Sequence, residues 1–312
     1  MSHTLKFGPL RAADHEAVAG LLHRSLVQWY ESRLGQGARF GDSPTPFLLF
    51  PQVYEALDPS EAITVRDDDT QAILGICFTH ERETHLSIGI VATSPEAAGK
   101  GIARQMMQAA LDKAQGLGKP ARLVSSLLNL DSFSLYTRLG FIPGAMFQDV
   151  LFNVPETGLT IPAPEGQERV RLAKAEDAAL IADFEFATQG IRREKDFHFF
   201  LRNDVGDWRV LVQEDTAGVL TGYMVVSVHP SSSMIGPGAV SDEKAATALL
   251  WQALDTLRGK STVILVPCLA SGLVKTLYRW GGRNVELHVA QSTAAPLNTK
   301  GLAFPTFLPE SA

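Results

Sequence analysis

The chain has 312 residues, 45% of them hydrophobic, and a formal net charge of −6. That length is enough for two packed domains, and an acidic balance without any basic run excludes broad electrostatic binding to nucleic acid. No apolar run approaches a membrane span and the first residues lack a signal-peptide pattern, so no membrane partner and a cytoplasmic setting are expected. The two cysteines, Cys77 and Cys268, lie in or beside apolar runs without Cys or His at metal-ligand spacing, which predicts reduced thiols and no metal.

In chain order, Leu5 to Leu10 reads as a short strand. Ala13 to Trp29 reads as a helix opened by Asp14, with Val18, Leu21, Leu22 and Leu26 on one side. Residues 34–46 are broken by Gly35, Gly37, Gly41, Pro44 and Pro46 and read as loop, before a second helix from Gln52 to Leu57. The stretch from Trp29 to Tyr54 also carries Tyr30, Phe40, Phe47 and Phe50, which either pack an irregular loop or line an acceptor pocket. Strands follow at Ala62 to Arg66 and Ala72 to His80, joined by a turn at Asp67-Asp68-Asp69. A further β-type segment runs from Leu86 to Val91.

The most informative stretch comes next. Pro95 to Arg104 is glycine-bearing, and Ile102, Met106, Met107, Ala110, Leu111 and Ala114 behind it recur at helical spacing. Strand, glycine loop, helix is an arrangement that brings backbone close to a ligand and offers helix-start amides to an anion. A Walker loop does not fit, because Ser94 stands where its first glycine belongs and Gly101 follows Lys100. A dinucleotide fingerprint fails at Arg104, where a small residue is required. Downstream lie a strand near Arg122 to Ser125, a helix around Tyr136 that Asn129 or Asp131 can cap, Gly140 to end that helix, and closing strands from Phe141 to Phe152.

Residues 98–103, Ala-Gly-Lys-Gly-Ile-Ala, resemble the acyl-CoA loop of the GNAT superfamily of N-acetyltransferases, written R/Q-x-x-G-x-G/A. Gly101 and Ala103 match, and Ala98 departs from the usual Arg or Gln. Asn129 to Phe141 resembles the family's later segment N-x-x-S/A-x-x-L-Y-x-x-x-G-F at every fixed position, including Ser132 and Tyr136. The resemblance covers roughly residues 4–152. It implies that acetyl-CoA is co-substrate, with its pyrophosphate on the amides of Ala98, Gly99, Lys100, Gly101, Ile102, Ala103 and Arg104. The pantetheine arm would lie along Val91, Ala92 and Thr93, and Asn129 and Ser132 would bind the cofactor near the helix. It assigns Tyr136 as proton donor to the leaving thiolate. For the base that deprotonates an ammonium acceptor, His80, Glu81, Glu83 and His85 are near the central strands, with Glu83 and His85 ranked first. In a regular strand His85 shares a face with Val91 and Thr93; a bulge there would upset that parity.

Val154 to Arg169, broken by Pro155, Pro162, Pro164, Gly158 and Gly166, reads as a linker. The second half then repeats the first in outline. Ala175 to Ile181 echoes Ala13 to Val18. Strands at Trp208 to Gln213 and Val219 to Val228 echo the central hairpin, and a helix from Glu243 to Leu257 precedes a strand at Thr262 to Val266. Thr276 to Gly282 echoes Ser134 to Gly140, with Tyr278 surviving and Ser271 in the place of Asn129. No Gly-x-Gly loop is present, and Asp242 and Glu243 would repel pyrophosphate.

The expectation is therefore an α/β protein with mixed sheets, built as two tandem GNAT-like folds. Residues 1–154 would form a catalytic domain, 155–168 a linker, 169–292 a degenerate copy and 293–312 a tail. The expected activity is acetyl transfer from acetyl-CoA to a primary amine by direct attack in a ternary complex. The acceptor would be a small-molecule amine or a peptide, and the protein a monomer or homodimer. The alternative is a non-catalytic acyl-CoA sensor or scaffold.

Overall fold

The computed structural model describes residues 5–295, 299–308 and 310–311, so Pro296 and Pro309 of the tail lie outside the described residues. The chain divides into two compact units. One takes the chain up to Glu81, His85–Leu123 and a return from Phe307; the other takes Arg82–Thr84 and Val124–Thr306.

The first unit contains β1 (Leu5–Pro9), α1 (His15–Leu34), α2 (Leu49–Leu57), β2 (Ile63–Asp67), β3 (Ile73–Glu81), β4 (Leu86–Thr93), α3 (Ile102–Gly116) and the start of β5 (Ala121–Ser126). The strands lie in chain order. β1 to β4 pair antiparallel, and β4 pairs parallel with β5. Helix α1 runs five residues past the predicted Trp29. Its first left-handed residue is Gly35, at φ +64°, whose N–H bonds back to Glu31 O. Helix α2 starts three residues before the predicted Gln52, because Pro51 falls in its first turn, where no N–H is needed.

The strand period of two assigns the helices to opposite faces of β3. A side chain at Gly75 would meet Ile102 and Met106 of α3, and Thr79 receives the Lys113 ammonium of the same helix at 3.1 Å. The alternate residues Phe78 and His80 stack on Tyr54 of α2, with ring centroids 4.3 and 4.6 Å apart. Val18, Leu22, Met106 and Met107 are fully buried beneath these helices, each contributing about 1.5–3 kcal/mol of transfer free energy.

The second unit contains α4 (Leu130–Arg138), β6 (Ile142–Asn153), β7 (Val170–Leu172), α5 (Asp177–Gln189), α6 (Glu194–Arg202), β8 (Trp208–Glu214), β9 (Leu220–Ser227), β10 (Met234–Val240), α7 (Glu243–Asp255), β11 (Ser261–Pro267), α8 (Ser271–Arg279), β12 (Arg283–Ser292) and β13 (Leu302–Phe304). The chain closes with β14 (Thr306–Phe307) paired to β15 (Glu310–Ser311). The predicted closing strands from Phe141 to Phe152 are one strand of 12 residues, β6. It stays extended because both edges are paired, with β12 on one side and β11 on the other. Both partners come from the C-terminal half of the sequence, and Val150 and Phe152 join the core formed by α7, β9, β10 and β11. Beyond β11 the order continues β10, β9, β8, β7.

Two charged clusters are sealed in this unit. Arg82 donates from Nε and a terminal nitrogen to one oxygen of Asp196 of α6, at 3.1 and 2.5 Å, with both side chains fully buried. Arg193 binds Glu185 of α5 through two bonds of 3.0 and 2.5 Å, and the Tyr223 hydroxyl donates to the same carboxylate at 2.5 Å. Burial, and then the Glu185 charge, push the Tyr223 phenol well above its usual value, so it stays a neutral donor.

Candidate active site

The site is built from what β4 and the loop after it leave unsatisfied. β4 pairs with β5 only at Leu86↔Ala121 and Ser87↔Arg122. Its register with β3 then shifts, from Thr79↔Ile88 to Cys77↔Val91. Between these pairs β3 uses one residue and β4 uses two, Gly89 and Ile90, which makes a β-bulge. The bulge bends β4, and no further pairing with β5 follows. The edge over Val91, Ala92 and Thr93, paired to β3 on its other side, is thereby opened to an extended ligand. A side chain at Gly89 would lie 2.8 Å from Cε1 of Tyr54, so glycine there lets the Tyr54 ring press onto the bulge. The Tyr54 hydroxyl donates to Phe307 O at 2.9 Å.

After β4, Pro95–Ala97 forms one tight turn and Ala98 leaves it in an extended conformation. Gly99 and Gly101 follow at φ +78° and +72°, with open space around each. Here the left-handed backbone, and not crowding, requires glycine. Gly101 is the N-cap of α3 and provides no side chain to cap it. The first backbone bond of the helix is Gln105 N to Gly101 O, so the amides of Ile102, Ala103 and Arg104 precede any intrahelical acceptor. Ala98, Gly99, Lys100, Gly101 and Arg104 are exposed, Ala103 is half-buried, and Ile102 is buried as the anchor. The loop thus presents uncapped amides flanked by two cations at the positive end of a helix dipole, which fits a pyrophosphate. Beside it, His23, Arg24, Val27 and Gln28 of α1 with Pro95 and Glu96 border an open cavity of about 400 Å³.

In the second unit, Asn129 is the N-cap of α4, its side-chain oxygen accepting the Ser132 N–H at 3.0 Å, and Asp131 lies in the first turn. That bond commits the oxygen and leaves the amide nitrogen of Asn129 for other use. Tyr136 lies on the buried side of α4, 8% exposed, against Phe141 at a ring distance of 5.9 Å.

The residues ranked first as bases meet different fates. Glu83 is exposed, and its carboxylate accepts the Glu194 N–H at the start of α6, at 3.0 Å. His85 is buried, with Nε2 at 3.1 Å from Ser87 Oγ. The bulge inverts the strand parity, so His85 does not share the face of Val91 and Thr93. His80 instead has the geometry of an oriented imidazole. Its Nδ1 contacts the Asp58 carboxylate, its ring stacks on Tyr54, and its Nε2 is buried without a hydrogen-bond partner. Asp58 lies 22 residues away beyond α2, so nothing local in the sequence announces the pair. Of the aromatic segment, Trp29, Tyr30, Phe40, Phe47 and Phe50 pack on one another in series, and Tyr54 stacks on Phe78 of β3.

The second half has the same frame with different residues at the matching positions. Asp242 caps α7 with its own carboxylate, accepting Ala245 N–H at 2.8 Å. Asp242, Glu165, Glu214 and Asp215 face a cavity of about 120 Å³ there. The left-handed glycines that end α4 and α8, Gly140 and Gly281, fix the equivalence of those helices. The following N–H bonds to Tyr136 O in one and Leu277 O in the other. Leu277 is therefore the counterpart of Tyr136, and the N-cap Ala270 that of Asn129. The expectation that Tyr278 survives and that Ser271 replaces Asn129 is corrected by one residue. Tyr278 is 44% exposed and bonds to Gln148. Among the described residues no three His, Cys, Asp or Glu form a metal-binding group, and no helix is long and apolar enough to cross a membrane.

A bulged strand splayed from its parallel neighbour occurs in both halves, and the uncapped glycine-loop helix in the first alone; the frame is that of an N-acyltransferase fold in two copies. Residues 24–141 match the model of the acetyltransferase (GNAT) family, and no curated protein matches the chain. A candidate acetyltransferase from Pyrococcus horikoshii superposes with a TM-score of 0.75 at 12% identity, over 100% of this chain and 97% of that one. A GCN5-related N-acetyltransferase from Sphaerobacter thermophilus gives 0.63 at 16%, over 95% and 98%. A tandem GNAT protein from the clavulanic acid biosynthesis pathway gives 0.59 at 15%, over 93% and 98%. Residues 24–141 are thus similar to the GNAT family, and the whole length has the tandem GNAT fold.

Proposed function

We propose that the protein is an acetyl-CoA-dependent N-acetyltransferase that acetylates a primary amine by direct attack in a ternary complex, with its working site in the N-terminal half. The observation that carries this reading is the pairing of the α3 N-terminus, which no side chain caps, with the open edge of β4. The second half offers neither, since its helix start is closed by Asp242 and the matching edge of β10 is paired with β13. We accordingly assign catalysis to residues 1–154, a connecting role to 155–168 and a non-catalytic role to the remainder.

Bound acetyl-CoA supplies the thioester, and the remaining work falls to the chain. Of residues 98–104, the amides of Gly99, Gly101, Ile102, Ala103 and Arg104 hold the pyrophosphate, those of Ala98 and Lys100 being bonded to Pro95 O and Ala97 O. Val91 to Thr93 orient the pantetheine arm through backbone bonds, with Asn129 and Ser132 as further cofactor contacts. Tyr136 gives its hydroxyl proton to the departing thiolate. An ammonium acceptor loses a proton before its nitrogen attacks the carbonyl. Glu83, His85 and His80 are the groups to test for that step. If Asp58 fixes the Nδ1–H tautomer of His80, Nε2 carries the free lone pair. The acceptor is placed beside α1 and α2 and is a small-molecule amine or a peptide.

Tyr136→Phe tests the reading against a sensor that binds acyl-CoA without turnover. The expected result is a fall in kcat of about 10²–10⁴, the usual share of a general acid, with acetyl-CoA affinity unchanged by calorimetry. An unchanged kcat, or no acetyl-CoA binding to the intact chain, would overturn it. The pH–rate profiles of His80→Gln, Glu83→Gln and His85→Asn identify the base, whose loss removes the acid limb.

A further inference from the structure

We propose that the groove of the second half is a strand-binding site whose ligand is the chain's own C-terminal segment, Gly301 to Thr306, seated where the first half opens the edge assigned to pantetheine. The two halves share one device. β10 pairs parallel with β11 at only two positions, Met234↔Val263 and Ile235↔Ile264. Its register with β9 then shifts from Ile235↔Val226 to Gly238↔Met224, so β10 uses Gly236 and Pro237 opposite one residue of β9. This repeats the bulge of β4, and it makes Gly238 to Val240 the counterparts of Val91 to Thr93.

In the second half that edge is not open. β13 pairs antiparallel with it at Gly238↔Phe304, Ala239↔Ala303 and Val240↔Leu302. β9 holds the opposite edge of the same residues, so β13 lies on the edge that β11 has left. The fit is close at three points. A side chain at Gly301 would lie 2.2 Å from Val240 O, and one at Gly236 would lie 2.9 Å from Pro305 O. Phe304 is 1% exposed within the core of this unit. The entry to the segment is fixed as well, with Lys300 N donating to Thr188 O at 2.8 Å. Backbone bonds along an edge with one buried aromatic anchor are how an extended peptide is recognised by strand addition. At what would be the phosphate end of the groove, Lys244 pairs with Glu165 and Arg171 with Glu214, while the Asp242 carboxylate already accepts an N–H at the α7 start. With that helix start capped by an anion of the chain itself, the groove favours an extended peptide over acyl-CoA.

The test uses the full chain carrying Gly301→Val, which drives the segment off the β10 edge, and a labelled peptide with the sequence of residues 300–306. The peptide is expected to bind the variant and not the wild type, whose groove is filled. A peptide with valine at its glycine is expected to bind neither. Should Gly301→Val not fold, Phe304→Ala in the full chain removes the anchor without a backbone clash. Amide hydrogen exchange is then expected to show protection lost together at residues 238–240 and 302–304. Equal binding of the peptide to wild type and variant, no binding to either, or unchanged protection in Phe304→Ala would overturn the proposal. So would a second equivalent of acetyl-CoA bound by Gly301→Val. None of these readouts needs turnover, so a failure of the acetyltransferase reading leaves the peptide result standing.

Discussion

Gly101 separates the backbone role of the loop from its electrostatic role. Its φ is +72°, and nothing lies within 4 Å of the point where a Cβ would stand, so an alanine there meets no neighbour but must hold a left-handed backbone. That strain is about 1–2 kcal/mol. It appears as lost stability if the loop keeps its shape, or as lost acetyl-CoA affinity if the loop relaxes, and the two losses together should equal it. Gly101→Glu adds a carboxylate to the same strain. Without ligand the charge sits at the positive end of α3 and recovers about 0.3–1 kcal/mol. With ligand it faces pyrophosphate. At roughly 5 Å, two unit charges repel by about 1 kcal/mol in water and about 3 at an effective dielectric of 20. Affinity then falls by between about fivefold and about 200-fold, less at high salt. Urea unfolding of the free proteins should rank wild type above Glu and Glu above Ala. Calorimetric titration of acetyl-CoA should rank wild type above Ala and Ala above Glu. Equal affinity losses for Ala and Glu, or a Glu variant that binds like wild type, would refute the placement of an anion at this helix start.

The other predictions concern what holds the two units in shape. Asp196→Ala removes the buried carboxylate that Arg82 binds through two nitrogens and should cost about 3–5 kcal/mol in urea unfolding, most of it recovered in the double variant Arg82→Met/Asp196→Leu. Gly89→Ala drives a methyl group into the Tyr54 ring and should cost about 1–3 kcal/mol, reduced when Tyr54→Leu is added; additive losses would show that the ring does not set the requirement. Burial pushes the Cys77 thiol up to about 12, against about 8.5 in the unfolded chain. The folded state's hold on that proton is fully present below the unfolded value, so stability should decline as pH rises from about 8.5 toward 12, and Cys77→Ala should flatten that decline relative to wild type. Native Cys77 should also resist thiol reagents at pH 8.

The features legible in the chain before it folds are local ones. Gly99 and Gly101 before an amphipathic run announce the helix-start site, and Asn129 to Phe141 announces α4 with its cap and its glycine stop, because caps, turns and helical periods are read within a few residues. The repeat of that frame in the second half is legible for the same reason. Everything that depends on pairing across the chain had to wait for the folded molecule. The Asp58–His80 contact and the placement of β6 between β11 and β12 join residues whose separation in sequence carries no signal, and the bonds after Gly140 and Gly281 are what make Leu277 the counterpart of Tyr136. The tail shows the limit most clearly. Gly301 to Thr306 has no periodic pattern to mark it, and it becomes a strand only because the β10 bulge leaves backbone groups on one edge that must be hydrogen-bonded once they are buried.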